Sequence, residues 1–165
     1  MVRRVKMTQI TLISVGNLKE GYLVSATAEY KKRLSAFAKV TEVELPEAPL
    51  RDESPAAADT ALNIEADKIL DKLPKDAYKI ALCIEGDEPK SSEAFAALLS
   101  RGIDKCGKLA FVIGSSHGLS PRVKAACDER ISFSRLTFPH QLMRVILTEA
   151  VYRSFTILAG KKYHK

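Results

Sequence analysis

Two short segments limit the folds open to this chain more than any other feature. Residues 79–84 (KIALCI) and 109–113 (LAFVI) are apolar at nearly every position, have the length of a strand, and run into glycine at Gly86 and Gly114. A strand with one wet face alternates polar and apolar residues, whereas a strand apolar on both faces must be covered on both. Such strands belong to parallel sheets sandwiched by helices. The rest of the chain supplies those helices. Residues 8–15 (TQITLISV) read as a strand stopped by Gly16-Asn17, and residues 40–45 and 131–133 as shorter ones. Between them, residues 20–37 carry Leu23, Ala26, Tyr30, Leu34 and Phe37 at helical spacing, and residues 56–73 place Ala61, Ile64, Ala66, Ile69 and Leu70 inward. Ser91 caps a third helix to about Lys105, Ser120-Pro121 opens a short one to Cys127, and residues 140–158 form the last and longest. The expectation is a single α/β domain over residues 1–165, a parallel sheet with helices on both faces. Ligands of such sheets gather at the carboxyl ends of strands, here the loops after Val15, Ile84, Ile113 and Phe133.

Composition narrows the class. At 46% hydrophobic and 28% charged, the 165 residues can bury a core, and no apolar run approaches the roughly 20 residues of a membrane span. The basic start lacks a small-residue cleavage site, so no signal peptide is expected. Cys83, Cys106 and Cys127 form no C-x-x-C pair, which argues against a disulfide framework or zinc and for a reducing cytoplasm. His117 and His140 have no carboxylate at ligand-like spacing, so no metal is expected. The net charge of +6 is unevenly placed. Residues 1–118 hold 17 basic and 17 acidic side chains, whereas residues 119–165 hold nine basic (Arg122, Lys124, Arg130, Arg135, Arg144, Arg153, Lys161, Lys162, Lys165) against Asp128, Glu129 and Glu149. A basic segment of this kind suits a polyanionic partner, nucleic acid first; a merely solvated face is the competing reading.

Four segments could carry chemistry. Gly114-Ser115-Ser116-His117-Gly118 joins a buried strand to a helix and lets backbone N–H groups approach a ligand, or is simply a tight turn. It matches neither G-x-G-x-x-G nor the P-loop. Residues 132–140 (SFSRLTFPH) are unusually apolar for a connection; Leu136 and Phe138 either plug the core or line a pocket. The last helix is apolar around most of its circumference, which requires a central place in the core or a second subunit. Its Glu149 and Arg153 have the spacing of a helix ion pair. After Gly160 the tail offers Lys161, Lys162, Tyr163, His164 and Lys165, which suit phosphate contact, base stacking and proton transfer, although such tails are often frayed.

Four blocks, TQITLISVGNLKEGY, ALCIEG, FVIGSSHGLS and above all SFSRLTFPHQLMRVILTEAVYRSFTILAGKKYHK, resemble the RlmH-type ribosomal RNA methyltransferases of the SPOUT class from Met7 to the end. Residues 1–6 precede the family's usual start, with Met7 as the alternative initiator. The resemblance implies methylation of N3 of a pseudouridine in 23S rRNA of the large ribosomal subunit, S-adenosyl-L-methionine as cofactor, a homodimer, and a fold closed by a C-terminal trefoil knot. By motif position it implies cofactor contacts at Leu82, Gly114, Phe133, Ser134, Arg135, Leu136, Thr137 and Phe138, and catalytic roles for Tyr163 and His164. Arg144, Arg153, Lys161, Lys162 and Lys165 are the candidate RNA contacts. The chain departs from the family pattern at Ser115, where a second glycine is usual, and at His117 and Ala150. Two other readings stand beside the enzyme: a non-catalytic RNA-binding ribosome assembly factor on the same fold, and a nucleotide-binding protein acting on a small molecule, which the C-terminal charge disfavours.

Overall fold

The computed structural model describes residues 7–163. Its elements follow in chain order: β1 (Thr8–Val15), α1 (Gly21–Leu34), β2 (Ala38–Leu45), α2 (Pro55–Lys72), β3 (Tyr78–Asp87), α3 (Ser92–Cys106), β4 (Lys108–Ile113), α4 (Pro121–Ala126), β5 (Glu129–Ile131) and α5 (His140–Leu158). The five strands form one sheet in the order β2-β1-β4-β3-β5, and every pair is parallel. Parallel neighbours require crossovers, and the helices provide them.

Alternation along each strand splits the core in two. Ile10, Leu12, Ile80, Leu82, Leu109, Phe111 and Ile113 face one way, under Leu34 of α1, Phe95 and Leu99 of α3, and Leu147, Val151 and Phe155 of α5. Ile13, Val15, Ala81, Ala110 and Val112 face the other way, under Ala66 and Ile69 of α2 and Val123 of α4. Small residues at Ala81 and Ala110 let the second layer sit close. Ser54, Ser91 and Ser120 cap α2, α3 and α4 by accepting from the amides of Ala57, Ala94 and Arg122.

Two expectations change. Ile64 is 42% exposed while Glu65 is 2% exposed, so the inward arc of α2 runs Ala61, Glu65, Ala66, Ile69 and admits a carboxylate. The last strand ends at Ile131, because the Ser132 hydroxyl turns back to donate to the Ser134 carbonyl at 2.8 Å. The apolar circumference of α5 is divided between two environments. One side, with Leu147, Thr148, Val151 and Phe155, is buried, whereas Leu142, Val145, Ile146, Glu149, Tyr152 and Arg153 form a stripe that this chain covers only in part.

Candidate active site

Because β4, β3 and β5 are adjacent in the sheet, the loops at their carboxyl ends lie side by side. Together with the start of α5 they enclose a cleft of about 330 Å³. Its walls include Leu82, Cys83 and Glu85 in the carboxyl-terminal half of β3, Gly114 to Gly118 after β4, Phe133, Ser134, Leu136, Thr137 and Phe138 after β5, and His140 and Met143 of α5. The volume lies within the roughly 300–1,000 Å³ typical of small-molecule sites.

Gly114 sets the shape of one wall. A Cβ there would lie 2.1 Å from the Gly118 carbonyl oxygen and 3.0 Å from Leu119, so only glycine lets the loop fold back so tightly. The fold-back is held by the Gly118 amide donating to the Ser115 carbonyl at 2.9 Å. The opposite wall, 132–138, is braced by its own hydroxyls: Ser134 Oγ accepts from the Leu136 amide at 3.0 Å, and Phe133 packs edge-on against Phe95 at 5.3 Å. Leu136, 70% exposed, stands at the mouth rather than plugging the core. Arg135 departs from the expected contacts: its side chain is 94% exposed, 3.8 Å from Glu88, and does not line the cleft.

Charge enters the cleft at few points. Lys124 and Glu85 pair across the rim, and the ammonium holds the Glu85 carboxyl below its usual range. His117 and His140 both line the cleft. Gly16, at φ +93°, leaves room for His140, whose Nε2 would lie 3.2 Å from a Cβ at that position.

The tail forms a second cluster. Arg153 donates to Glu149 Oε1 at 3.0 and 2.6 Å, and its guanidinium stacks 4.1 Å over the Tyr163 ring, which leans on Tyr152 at 5.4 Å. Burial, then the neighbouring Glu149 carboxylate, pushes the Tyr163 phenol up to about 12, so it stays protonated at neutral pH. Lys161 and Lys162 are exposed, and the Lys161 ammonium lies 5.3 Å from the Phe37 ring. A hollow of about 260 Å³ bounded by Ser91, Ser92, Phe95, Glu149 and Arg153 shares Phe133 with the cofactor-sized cleft. His164 and Lys165 lie outside the described residues.

Arg144 is a correction. It is 4% exposed, with Nη1 3.3 Å from the Gly16 carbonyl and 3.4 Å from Glu44, and Nη2 3.7 Å from Glu42. It ties α5 to the ends of β1 and β2 and cannot contact RNA phosphates. Glu65 and Glu85 were not singled out from sequence, and Lys124 and His140 were considered only as a basic residue and a possible metal ligand, not as parts of this cleft. Glu65 was detectable as an acid four residues from both Ala61 and Ile69 on an apolar helix face. Lys124 and Glu85 were not, since 39 residues separate them.

Residues 8–164 match the family described as "Predicted SPOUT methyltransferase". A protein of Listeria monocytogenes serovar 1/2a named ribosomal RNA large subunit methyltransferase H is 52% identical over 158 residues, spanning 94% of this chain and 99% of that one. A protein of the same name from Shouchella clausii is 46% identical over 160 residues, with the same coverage of both chains. In structure, a probable methyltransferase from Bordetella pertussis Tohama I superposes with a TM-score of 0.58 at 18% identity, covering 90% of this chain and 95% of that one. At that identity the likeness is one of fold.

Proposed function

The chain belongs to the SPOUT methyltransferase family, and from that premise we propose that it methylates 23S rRNA of the large ribosomal subunit, at N3 of a pseudouridine, with S-adenosylmethionine as donor. The observation that carries the reading is the cleft itself: it lies at the carboxyl ends of three neighbouring parallel strands, is pinched by Gly114 and is walled largely by apolar side chains. Such a cleft suits a flat adenine edge read by backbone groups, with Leu82, Leu136 and Phe138 against its faces and Gly114, Phe133, Ser134 and Thr137 completing the enclosure. When bound there, S-adenosylmethionine supplies a methyl group already made electrophilic by its sulfonium sulfur.

The work left to the protein is alignment and proton removal. Holding the target nitrogen in line with the methyl can supply up to roughly 7–11 kcal/mol of the barrier reduction. The walls of the cleft exclude water and fix the donor. On the RNA side, Lys161, Lys162 and Lys165 neutralise phosphates, and Arg153 and Tyr163 present a cation and a ring to the nucleotide. A phenol held near 12 cannot take the N3 proton at neutral pH, so Tyr163 positions the base. His164 is the proton acceptor of this proposal, imidazole being the side chain whose unperturbed pKa, about 6.5, suits proton transfer near neutral pH.

A homodimer belongs to the same reading. The half-covered stripe of α5 has the spacing of a helix packing face, and a two-fold pairing is the commonest way to cover one. The deciding experiment is mass spectrometry of large-subunit rRNA from cells lacking the gene. The expected result is the loss of one methyl group on a pseudouridine and its return on complementation. An unchanged rRNA methylation pattern would refute the activity.

A further inference from the structure

We propose that Glu65 is a positioning residue: it holds the 114–118 loop in its ligand-ready shape by acting through Ser115, in the cleft to which the preceding section assigns the cofactor. Glu65 sits on α2, behind the loop and away from the cleft, and is 2% exposed. Its Oε1 accepts from the Ala48 amide at 3.0 Å and its Oε2 from the Ser115 hydroxyl at 2.9 Å. No Lys, Arg or His among the described residues pairs with it. A buried carboxylate with two hydrogen bonds and no counter-ion costs more than a leucine would at the same position. Packing therefore does not account for it, whereas its partners do.

Those partners come from two different loops. Ala48 follows β2 and Ser115 follows β4, and β1 lies between those strands in the sheet. Glu65 thus spans the end of β1 and joins two loops that the backbone ladder leaves independent. A second tie, from the Ser116 hydroxyl to Glu47 at 3.1 Å, runs alongside on the surface. Ser115 passes the constraint forward. Its hydroxyl donates to Glu65 and accepts from the His117 amide at 3.4 Å, while its carbonyl receives the Gly118 amide. The loop that brings Gly118 against Gly114 is therefore fastened from behind by one acid.

The test separates positioning from bulk stability and from the identity of the ligand. Amide hydrogen exchange of the 114–118 loop in the ligand-free protein reads the loop directly. Glu65→Ala and Ser115→Ala should each speed that exchange at least about fivefold, the size expected from one lost buried hydrogen bond. Exchange in β4 should stay unchanged. Glu65→Gln, which keeps an acceptor for Ala48 and offers an N–H to the Ser115 oxygen, should restore protection. Titration with S-adenosylhomocysteine should then show Kd raised about tenfold in Ser115→Ala. In steady state, KM for the donor should rise with kcat nearly unchanged. The effects of the two substitutions should be less than additive in the double variant, because both break the Glu65–Ser115 hydrogen bond. Should Glu65→Ala not fold, Ser115→Ala carries the test unaided. Wild-type loop protection in Ser115→Ala overturns the proposal. A wild-type protein that shows the protection pattern but does not bind S-adenosylhomocysteine instead overturns the cofactor assignment on which the Kd arm rests.

Discussion

Single atoms decide most at Gly114 and Arg144. A methyl group at position 114 would meet the Gly118 carbonyl at 2.1 Å, so Gly114→Ala has to open the loop. The expected outcome is a folded protein whose affinity for S-adenosylhomocysteine falls at least about tenfold, or about 1.4 kcal/mol, by titration calorimetry. Arg144→Ala removes the cation from a buried site whose acid partners remain partly wet. It should lower stability by about 2–3 kcal/mol in urea unfolding and leave the salt dependence of RNA binding unchanged. That pair of results would separate Arg144 from Lys161 and Lys162, whose replacement by alanine should make the salt dependence shallower. From sequence all three were simply basic residues in a basic segment. Burial distinguishes them, and burial of this arginine depends on Glu42 and Glu44, about a hundred residues away on β2.

At the scale of elements, the central strands were legible because burial on both faces leaves short apolar runs of strand length that end at glycine. The helix caps were legible because Ser91 and Ser120 solve a local problem with a local side chain. The phase of α2 was less so: Ile64 and Glu65 are neighbours, and hydropathy alone prefers the wrong one inside. The join between β3 and β5 shows a second dependence on tertiary context. Tyr78, 8% exposed, donates to Glu129 at 2.7 Å, and burial followed by that carboxylate pushes the phenol up to about 12. A folded-state value above the ordinary 10 means that the native protein holds the proton more tightly. The resulting stability is fully present below pH 10 and fades as pH rises toward 12. Tyr78→Phe should cost about 1 kcal/mol at neutral pH and flatten the alkaline part of the stability profile, measured by urea midpoints from pH 8 upward.

For the whole molecule, the open stripe on α5 makes a demand that one chain does not meet. Ile146→Asp should convert the protein to monomers in light scattering, or to aggregates, with loss of rRNA methylation. Val151 would be a poor probe, since it is buried against this chain's own core. A soluble, fully active monomeric wild type would refute the pairing. Deleting residues 163–165 should leave oligomeric state and cofactor binding intact while reducing methylation of ribosomes by orders of magnitude. Methylation at the wild-type rate would show that the tail is a frayed end. Hydropathy left a central place in the core and a second subunit as equal alternatives for this helix, because a stripe half-covered by its own fold has the same letters as one fully covered.

The strand order has a further consequence, in time rather than space. Gln9 at the start of β1 finds its partner Lys108 at the start of β4, 99 residues later in the chain, and β4 also separates β1 from β3 in the finished sheet. Contacts so distant in sequence are slow to form. During synthesis the centre of the sheet stays vacant until about two-thirds of the polypeptide has been made, and the helix that seals one face is made last. The two faces of the sheet therefore close at different times: the α2 side can pack once β4 and α4 exist, whereas the α1 and α3 side waits for α5.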